Sequence, residues 1–334
     1  MSTTMHDRQH GMSIIELMIA MALGLLILLG LTSLFVQTKQ SFKQDDLVAR
    51  MQEDSRFAVS ELRHDVAMSG FWGPLLDPDI VVNNGTIAGY SGNTAALFVY
   101  PTAITVDDGA VAADTILGQT LASVVPGTDA VGIVKVEGVA AVTVSTNTDT
   151  AVAAGQTALA VSQQYLQTNG VLGRMLLGSD APTTVAGSAV PVAFSYWRYK
   201  PVIYWVRSYA LTAGDGIPTL VRLSLDDSGA TTTEEIAQGV EDLQIEYGID
   251  TTADGYADRY IADPSAAQMK NVISVRIYLL ARSTEADSNY TNSRTYTLSN
   301  SSVAPDNPGD HYYRRVFATT VQVRNNAHLL TLGL

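Results

Sequence analysis

The sequence predicts an α+β protein, with one long N-terminal helix whose second half packs on an antiparallel β-sheet domain. Three observations carry this. Leu17 to Val36 contains no charged residue. Immediately beyond it, apolar residues recur at helical spacing as far as Gly70, with no proline or glycine between. From Pro191 onward, aromatic and β-branched residues alternate with polar ones, the period of half-buried strands.

The first element is the apolar run. Twenty residues at about 1.5 Å each make a helix of roughly 30 Å, the thickness of a bilayer core. Glu16 stands at its edge. A carboxylate deep in a bilayer costs about 2.5–3.5 kcal/mol on insertion scales. A charge in this position therefore calls for a partner. An ordinary secretory signal has a shorter apolar region, followed by a small-residue cleavage site. A plain membrane anchor is the other reading. Arg8 precedes the run while Lys39 and Lys43 follow it, so flanking charge does not fix orientation.

The second element continues the first. From Gln37 to Ser69, Leu47, Met51, Ala58, Leu62 and Val66 form a stripe on one helical face. Asp45, Asp46, Arg50, Glu53, Asp54, Arg56, Glu61, Arg63 and Asp65 carry the polar face. Gly70 is a stop, with Pro74 just beyond. The first half suits lipid or other such helices, and the second half suits a folded domain. Phe71 and Trp72 are expected to close the bottom of the core.

Gly11-Met12-Ser13-Ile14-Ile15-Glu16-Leu17, leading into an apolar helix, resembles the prepilin signal of type IV pilins and pseudopilins. The resemblance implies cleavage by a prepilin peptidase between Gly11 and Met12, N-methylation of Met12, and Glu16 as the fifth residue of the mature chain. Met12 departs from the usual phenylalanine but is also apolar. The new amine of Met12 and the carboxylate of Glu16 would lie one helical turn apart, on one face. The same carboxylate could meet the amine of a neighbouring copy, an assembly and register role. Gln52-Glu53-Asp54-Ser55-Arg56-Phe57-Ala58, then Met68-Ser69-Gly70-Phe71-Trp72-Gly73, is similar to segments of PilW-type minor pilins. So are Val240-Glu241-Asp242-Leu243-Gln244-Ile245-Glu246-Tyr247-Gly248, Arg314-Arg315-Val316-Phe317 and Val323-Arg324-Asn325. The resemblance covers residues 11–73 and 240–326, and implies a pilin-like fold.

The expected organisation is a leader over 1–11, a transmembrane and assembly helix over 12–36, its amphipathic continuation over 37–70, and a β-rich domain over 71–334. Roughly 260 residues lie beyond the helix, enough for one large domain or two small ones. Residues 75–190 are rich in Ala, Val, Thr, Gly and Ser. Short strands are expected there at Leu97–Tyr100, Ala130–Val136, Ala140–Val144 and Ala158–Val161. Thr128-Asp129-Ala130-Val131 is similar to a turn that the same family uses before a strand. Further strands are expected at Phe194–Tyr199, Pro201–Ser208, Thr219–Leu225, Val240–Tyr247, Val272–Leu280 and Tyr313–Arg324. Arg198-Tyr199-Lys200 would be a tight link between the first two. Glu234–Gly239 reads as a short helix or turn, and Ser288–Asp310 as an irregular connection.

The chain has 334 residues, a net charge of −13 and no cysteine. The acidic balance argues against general nucleic-acid binding. The lack of cysteine excludes disulfides, thiolate metal sites and cysteine nucleophiles. The C-terminal region must therefore be held by packing, strand pairing or an ion. His64, His311 and His328 have no nucleophile motif beside them, so no enzyme is expected.

One local motif could hold a metal. Asp250, Thr252, Asp254 and Asp258, with Gly255, supply oxygens at positions 1, 3, 5 and 9 and glycine at 6 of a calcium loop. The bidentate acid of position 12 is absent, because Ile261 stands there, and Asp263 lies two residues further on. An Asp-Gly turn is the alternative.

The expected function is that of a minor pilin taking part in type IV pilus assembly, in a priming or tip complex. The implied partners are the prepilin peptidase, other minor pilins and the major pilin, the inner-membrane assembly platform and a PilY-type tip adhesin. The implied location is the inner membrane with the C-terminal domain in the periplasm, then the pilus. Two competitors are a pseudopilin of a type II secretion system and a membrane-anchored adhesin or ligand-binding module. The last would place Tyr196, Trp197, Tyr204 and Trp205 together on the surface.

Overall fold

The computed structural model describes residues 13–75, 81–83, 104–110, 115–144, 159–171, 173–180, 194–269, 271–299, 301–303 and 309–325. Helix α1 spans Ile14–Ala67, 54 residues without a break. The chain divides into two compact units, Met1–Ala49 and Arg50–Leu334. In the first unit the helix exposes its apolar side chains from Ile14 to Val36. In the second the expected stripe is the buried face: Met51, Ala58, Leu62 and Val66 are all below a tenth exposed. The helix ends where the sequence places the stop. Gly70 takes a φ of 67°, a conformation glycine adopts without steric cost. The chain then leaves in a strand-like path, with Gly70 N–H donating to Val134 O and Val136 N–H to Phe71 O, both at 2.9 Å.

The strands in chain order are β1 (Val81–Asn83), β2 (Ile104–Ala110), β3 (Thr115–Ile116), β4 (Gln119–Thr120), β5 (Thr128–Ile133), β6 (Val142–Val144), β7 (Gln164–Thr168), β8 (Gly173–Leu177) and β9 (Phe194–Arg198). They continue with β10 (Val202–Arg207), β11 (Thr219–Leu225), β12 (Thr231–Gln238), β13 (Val240–Ile249) and β14 (Arg259–Ile261). After one helical turn, α2 (Ala266–Met269), come β15 (Val272–Arg282), β16 (Tyr296–Leu298), β17 (Ser301–Val303) and β18 (Arg314–Gln322).

Three main sheets result. The first runs β1-β8-β7-β9-β6, the second β12-β11-β10-β5-β2 and the third β14-β13-β15-β18. Pairing is antiparallel apart from β1 with β8. Ile203 and Trp205 of β10, with Val221, Leu223 and Leu225 of β11, join Leu166 and Met175 of the first sheet in one core. Phe71, Trp72 and Trp197 pack against that core, as expected of a lower closure. A Cβ on Gly73 would lie 2.7 Å from the Trp197 ring, so this turn admits no side chain. The second and third sheets meet at β5. Asp129 Oδ2 accepts the buried amide of Ile245 at 2.7 Å, and Gln244 Nε2 donates to Gly127 O at 3.0 Å. Asp129 of β5 is thus a pin between sheets.

The later strands follow the sequence closely. Ile273, Val275, Ile277 and Leu279 of β15 are buried, and the strand pairs over its length with β13 and β18. Five expectations need correction. Thr128-Asp129 is not a turn but the start of β5, because β2 offers it a ladder. Glu234–Gly239 is not a helix or turn but the end of β12, because Thr219–Leu225 offers a ladder that outweighs the local preference of Glu-Glu. Arg198-Tyr199-Lys200 links strands of two different sheets instead of closing a hairpin: β9 pairs with β7, and β10 with β11. Residues 159–161 are a turn region, and the strand begins at Gln164. Within Ser288–Asp310, β16 and β17 pair as a hairpin. Leu97–Tyr100 lies outside the described residues.

Candidate functional site

The site begins at the start of α1. Gly11 and Met12, the expected cleavage and methylation positions, lie outside the described residues. Ser13 precedes the first helical residue and caps it: its Oγ accepts the Ile15 amide at 3.4 Å, while Glu16 Oε2 accepts the Ser13 amide at 3.4 Å. This is the reciprocal arrangement of a capping box. Glu16 is therefore held at the helix entrance by its own chain, pointing back toward Ser13. Sequence reasoning missed Ser13, although the S-x-x-E spacing announces it. Beyond Glu16 the most apolar stretch of the helix has none of its surface buried inside the protein and is long enough to cross a membrane.

At the other end of α1, Asp65 is buried and receives two partners. Its Oδ1 pairs with Lys135 Nζ, and its Oδ2 accepts the Tyr204 hydroxyl at 2.6 Å. Arg222 lies cross-strand from Tyr204 and joins the cluster, with Nη1 2.8 Å from Glu61 Oε2 and Nη2 2.8 Å from Glu234 Oε2. Burial, then the charge of Asp65, pushes the Tyr204 hydroxyl well above its ordinary range. It therefore stays protonated and donates. The cluster fixes residues 61–65 of the helix to one face of the second sheet.

The polar loop has a different organisation from a metal cage. Asp250 Oδ1 accepts the amides of Thr252 at 3.0 Å and Ala253 at 2.6 Å, and its Oδ2 accepts that of Gly255 at 2.8 Å. Asp254 Oδ1 accepts the Tyr256 amide at 2.9 Å. Asp258 Oδ2 takes both the amide and the hydroxyl of Thr251, at 2.7 and 2.6 Å. The Thr251 hydroxyl, then its amide, holds the Asp258 carboxyl below its ordinary range. Asp250 is buried, whereas Thr252, Asp254 and Asp258 are exposed. Among the described residues no three acidic or histidine side chains gather where they could hold a metal ion. The carboxylates at the calcium-loop spacing accept donors from the loop itself and so close a turn.

A second acid-centred loop was not foreseen. Asp215, in the connection between β10 and β11, accepts amides from Ala210, Leu211, Thr212 and Ile217 at 2.9 to 3.2 Å. Those amides, that of Ile217 first, hold its carboxyl down at about 2. The aromatic residues that an exposed ligand surface would use are instead internal. Tyr196, Tyr204 and Trp205 are at most 5% exposed, and Trp197 packs against the core.

Residues 203–325 match the model of the type IV pilus-assembly protein W family, and residues 6–32 match the prokaryotic N-terminal methylation motif. No curated protein matches the chain. Among solved structures, a type IV-like pilin from Thermus thermophilus aligns at 16% identity, over 38% of this chain and 66% of that one, with a TM-score of 0.26. The families matched are those of pilus proteins and not of enzymes. The methylation motif coincides with the Glu16-capped apolar helix, and the second match covers the strands from β10 through β18. The chain is thus similar to N-methylated pilins over residues 6–32 and to type IV pilus-assembly proteins of the PilW type over residues 203–325.

Proposed function

We propose that the chain is a minor pilin that takes part in type IV pilus assembly, entering a priming or tip complex through α1 after its leader is removed. One observation carries the reading. A membrane-length helix, unburied within the protein, begins at a capped Glu16 inside a matched N-terminal methylation motif. Before assembly the apolar stretch would lie in the inner membrane with the β-rich domain in the periplasm. In the filament the same stretch would pack on neighbouring helices. The size of the domain supports a place at the tip, since a bulky head crowds a shaft. The burial of Tyr196, Tyr204 and Trp205 weighs against the anchored-adhesin reading.

Mass spectrometry of the mature chain tests the processing. The expected N-terminus is a methylated Met12, and Gly11→Val should leave the leader attached. A mature chain beginning beyond Leu31 would mean an ordinary secretory signal. Deleting the gene separates pilus from secretion: loss of surface pili with normal secretion supports the proposal, and the reverse favours a pseudopilin.

A further inference from the structure

β18 is an edge strand, with β15 on one side and no strand on the other among the described residues. Its ladder with β15 runs in unbroken register over nine residues, from Arg314 opposite Arg282 to Gln322 opposite Ser274. The two ends show which groups are used. Val323 N–H donates to Ile273 O, and Ser283 N–H donates to Tyr313 O, both at 2.8 Å. An antiparallel ladder repeats every second residue. The odd-numbered residues 315 to 321 therefore bond inward to β15, and the amides and carbonyls of Val316, Ala318, Thr320 and Gln322 point outward. Natural edges are usually protected by proline, lysine or a bulge. β18 has no proline and no register shift, and its charges, Arg314 and Arg315, sit at one end, leaving Val316–Gln322 uncharged. Such an edge accepts another strand through main-chain hydrogen bonds.

Charge selects the occupant. In a chain of net charge −13, β18 carries two arginines and no acid. Arg314 is satisfied internally by Glu241 and Asp310, whereas Arg315 is exposed, with its guanidinium 5.6 Å from the Phe317 ring. The second sheet ends in an edge of opposite character. β12 is TTTEEIAQ, eight residues long, with Thr231, Thr233, Glu234 and Glu235 exposed and no base. We propose that β18 of one copy pairs edge to edge with β12 of a second copy, setting Arg315 near Glu235 and near Glu234, which already pairs with Arg222 of its own chain. A contact between two different patches is heterologous, so it extends in one direction instead of closing a dimer.

The absence of cysteine makes the test direct. For antiparallel pairing in this register, full-length chains carrying Thr320→Cys or Thr231→Cys, with different tags, are mixed in detergent micelles and treated with a short bis-maleimide. The expected product is the mixed dimer, about tenfold over either same-variant dimer. Adding Ala318→Pro to the first chain removes one outward amide and leaves the β15 ladder whole. It should abolish the product while circular dichroism and Tm stay at the parent values. If that variant melts early, the charge exchange decides: Arg315→Glu should weaken cross-linking, and Glu235→Arg in the other chain should restore it. Three outcomes overturn the proposal. They are no mixed dimer at about 100 μM chain, an unchanged yield with a folded Ala318→Pro chain, and a dominant Thr320→Cys dimer, which would mean that the edge pairs with itself.

Discussion

Asp65 and Tyr204 lie 139 residues apart in the chain, and the Tyr204 hydroxyl donates to Asp65 Oδ2 at 2.6 Å in a buried contact. The pair joins the last turn of α1 to the middle of the second sheet. Removing the hydroxyl with Tyr204→Phe should cost about 1 kcal/mol, the ordinary net worth of a hydrogen bond. Asp65→Ala should cost about 3–5 kcal/mol, because it leaves Lys135 as an uncompensated buried cation. Urea unfolding of the two variants checks the order. Equal small losses would show that water reaches the cluster.

Asp215 gives a pH signature. Its folded carboxyl titrates at about 2, below the usual value of about 3.9. The stabilisation it contributes is therefore complete above about pH 4 and is lost as the pH falls through about 2. Tm measured across that window should fall less steeply for Asp215→Ala than for the parent chain. Parallel curves would mean that the loop opens without affecting global stability.

The Asp250 loop separates turn from metal site. Asp250→Ala removes the acceptor of three amides and should lower Tm equally with and without calcium. Asp254→Ala removes one exposed contact and should melt close to the parent. A calcium-dependent rise in the parent's Tm that Asp254→Ala abolishes would reinstate the loop as a calcium site.

Glu16 should act in assembly and not in insertion. Glu16→Leu makes the segment more apolar, so cleavage and membrane insertion should persist. Co-purification with other pilins and the number of surface pili should drop, and Glu16→Asp should be intermediate because its reach is shorter. Ser13→Ala is the control for capping: it should loosen the helix start by about 1 kcal/mol and leave the carboxylate in place. Normal piliation with Glu16→Leu would remove the carboxylate from assembly.

The sequence by itself determined what depends on near neighbours. The uncharged run from Leu17 to Val36, the stripe Met51-Ala58-Leu62-Val66 and the stop at Gly70 fix the helix, because helical period and termination are local properties. The alternation in Val272–Leu280 likewise fixes a strand and its buried face. S-x-x-E at Ser13 was equally local and legible. Only the tertiary structure decided the rest. It assigned β9 and β10 to different sheets although a short link joins them, and made a strand of Glu234–Gln238 because β11 lay open beside it. It found Asp65 its partners on β10 and beyond β5, and turned Asp250, Asp254 and Asp258 to backbone amides. A single strand carries no record of which edge it will meet, and the position of a carboxylate does not say what its oxygens will face. Both are settled by pairing across long stretches of chain, where the free energy belongs to the assembled sheet and not to any local segment.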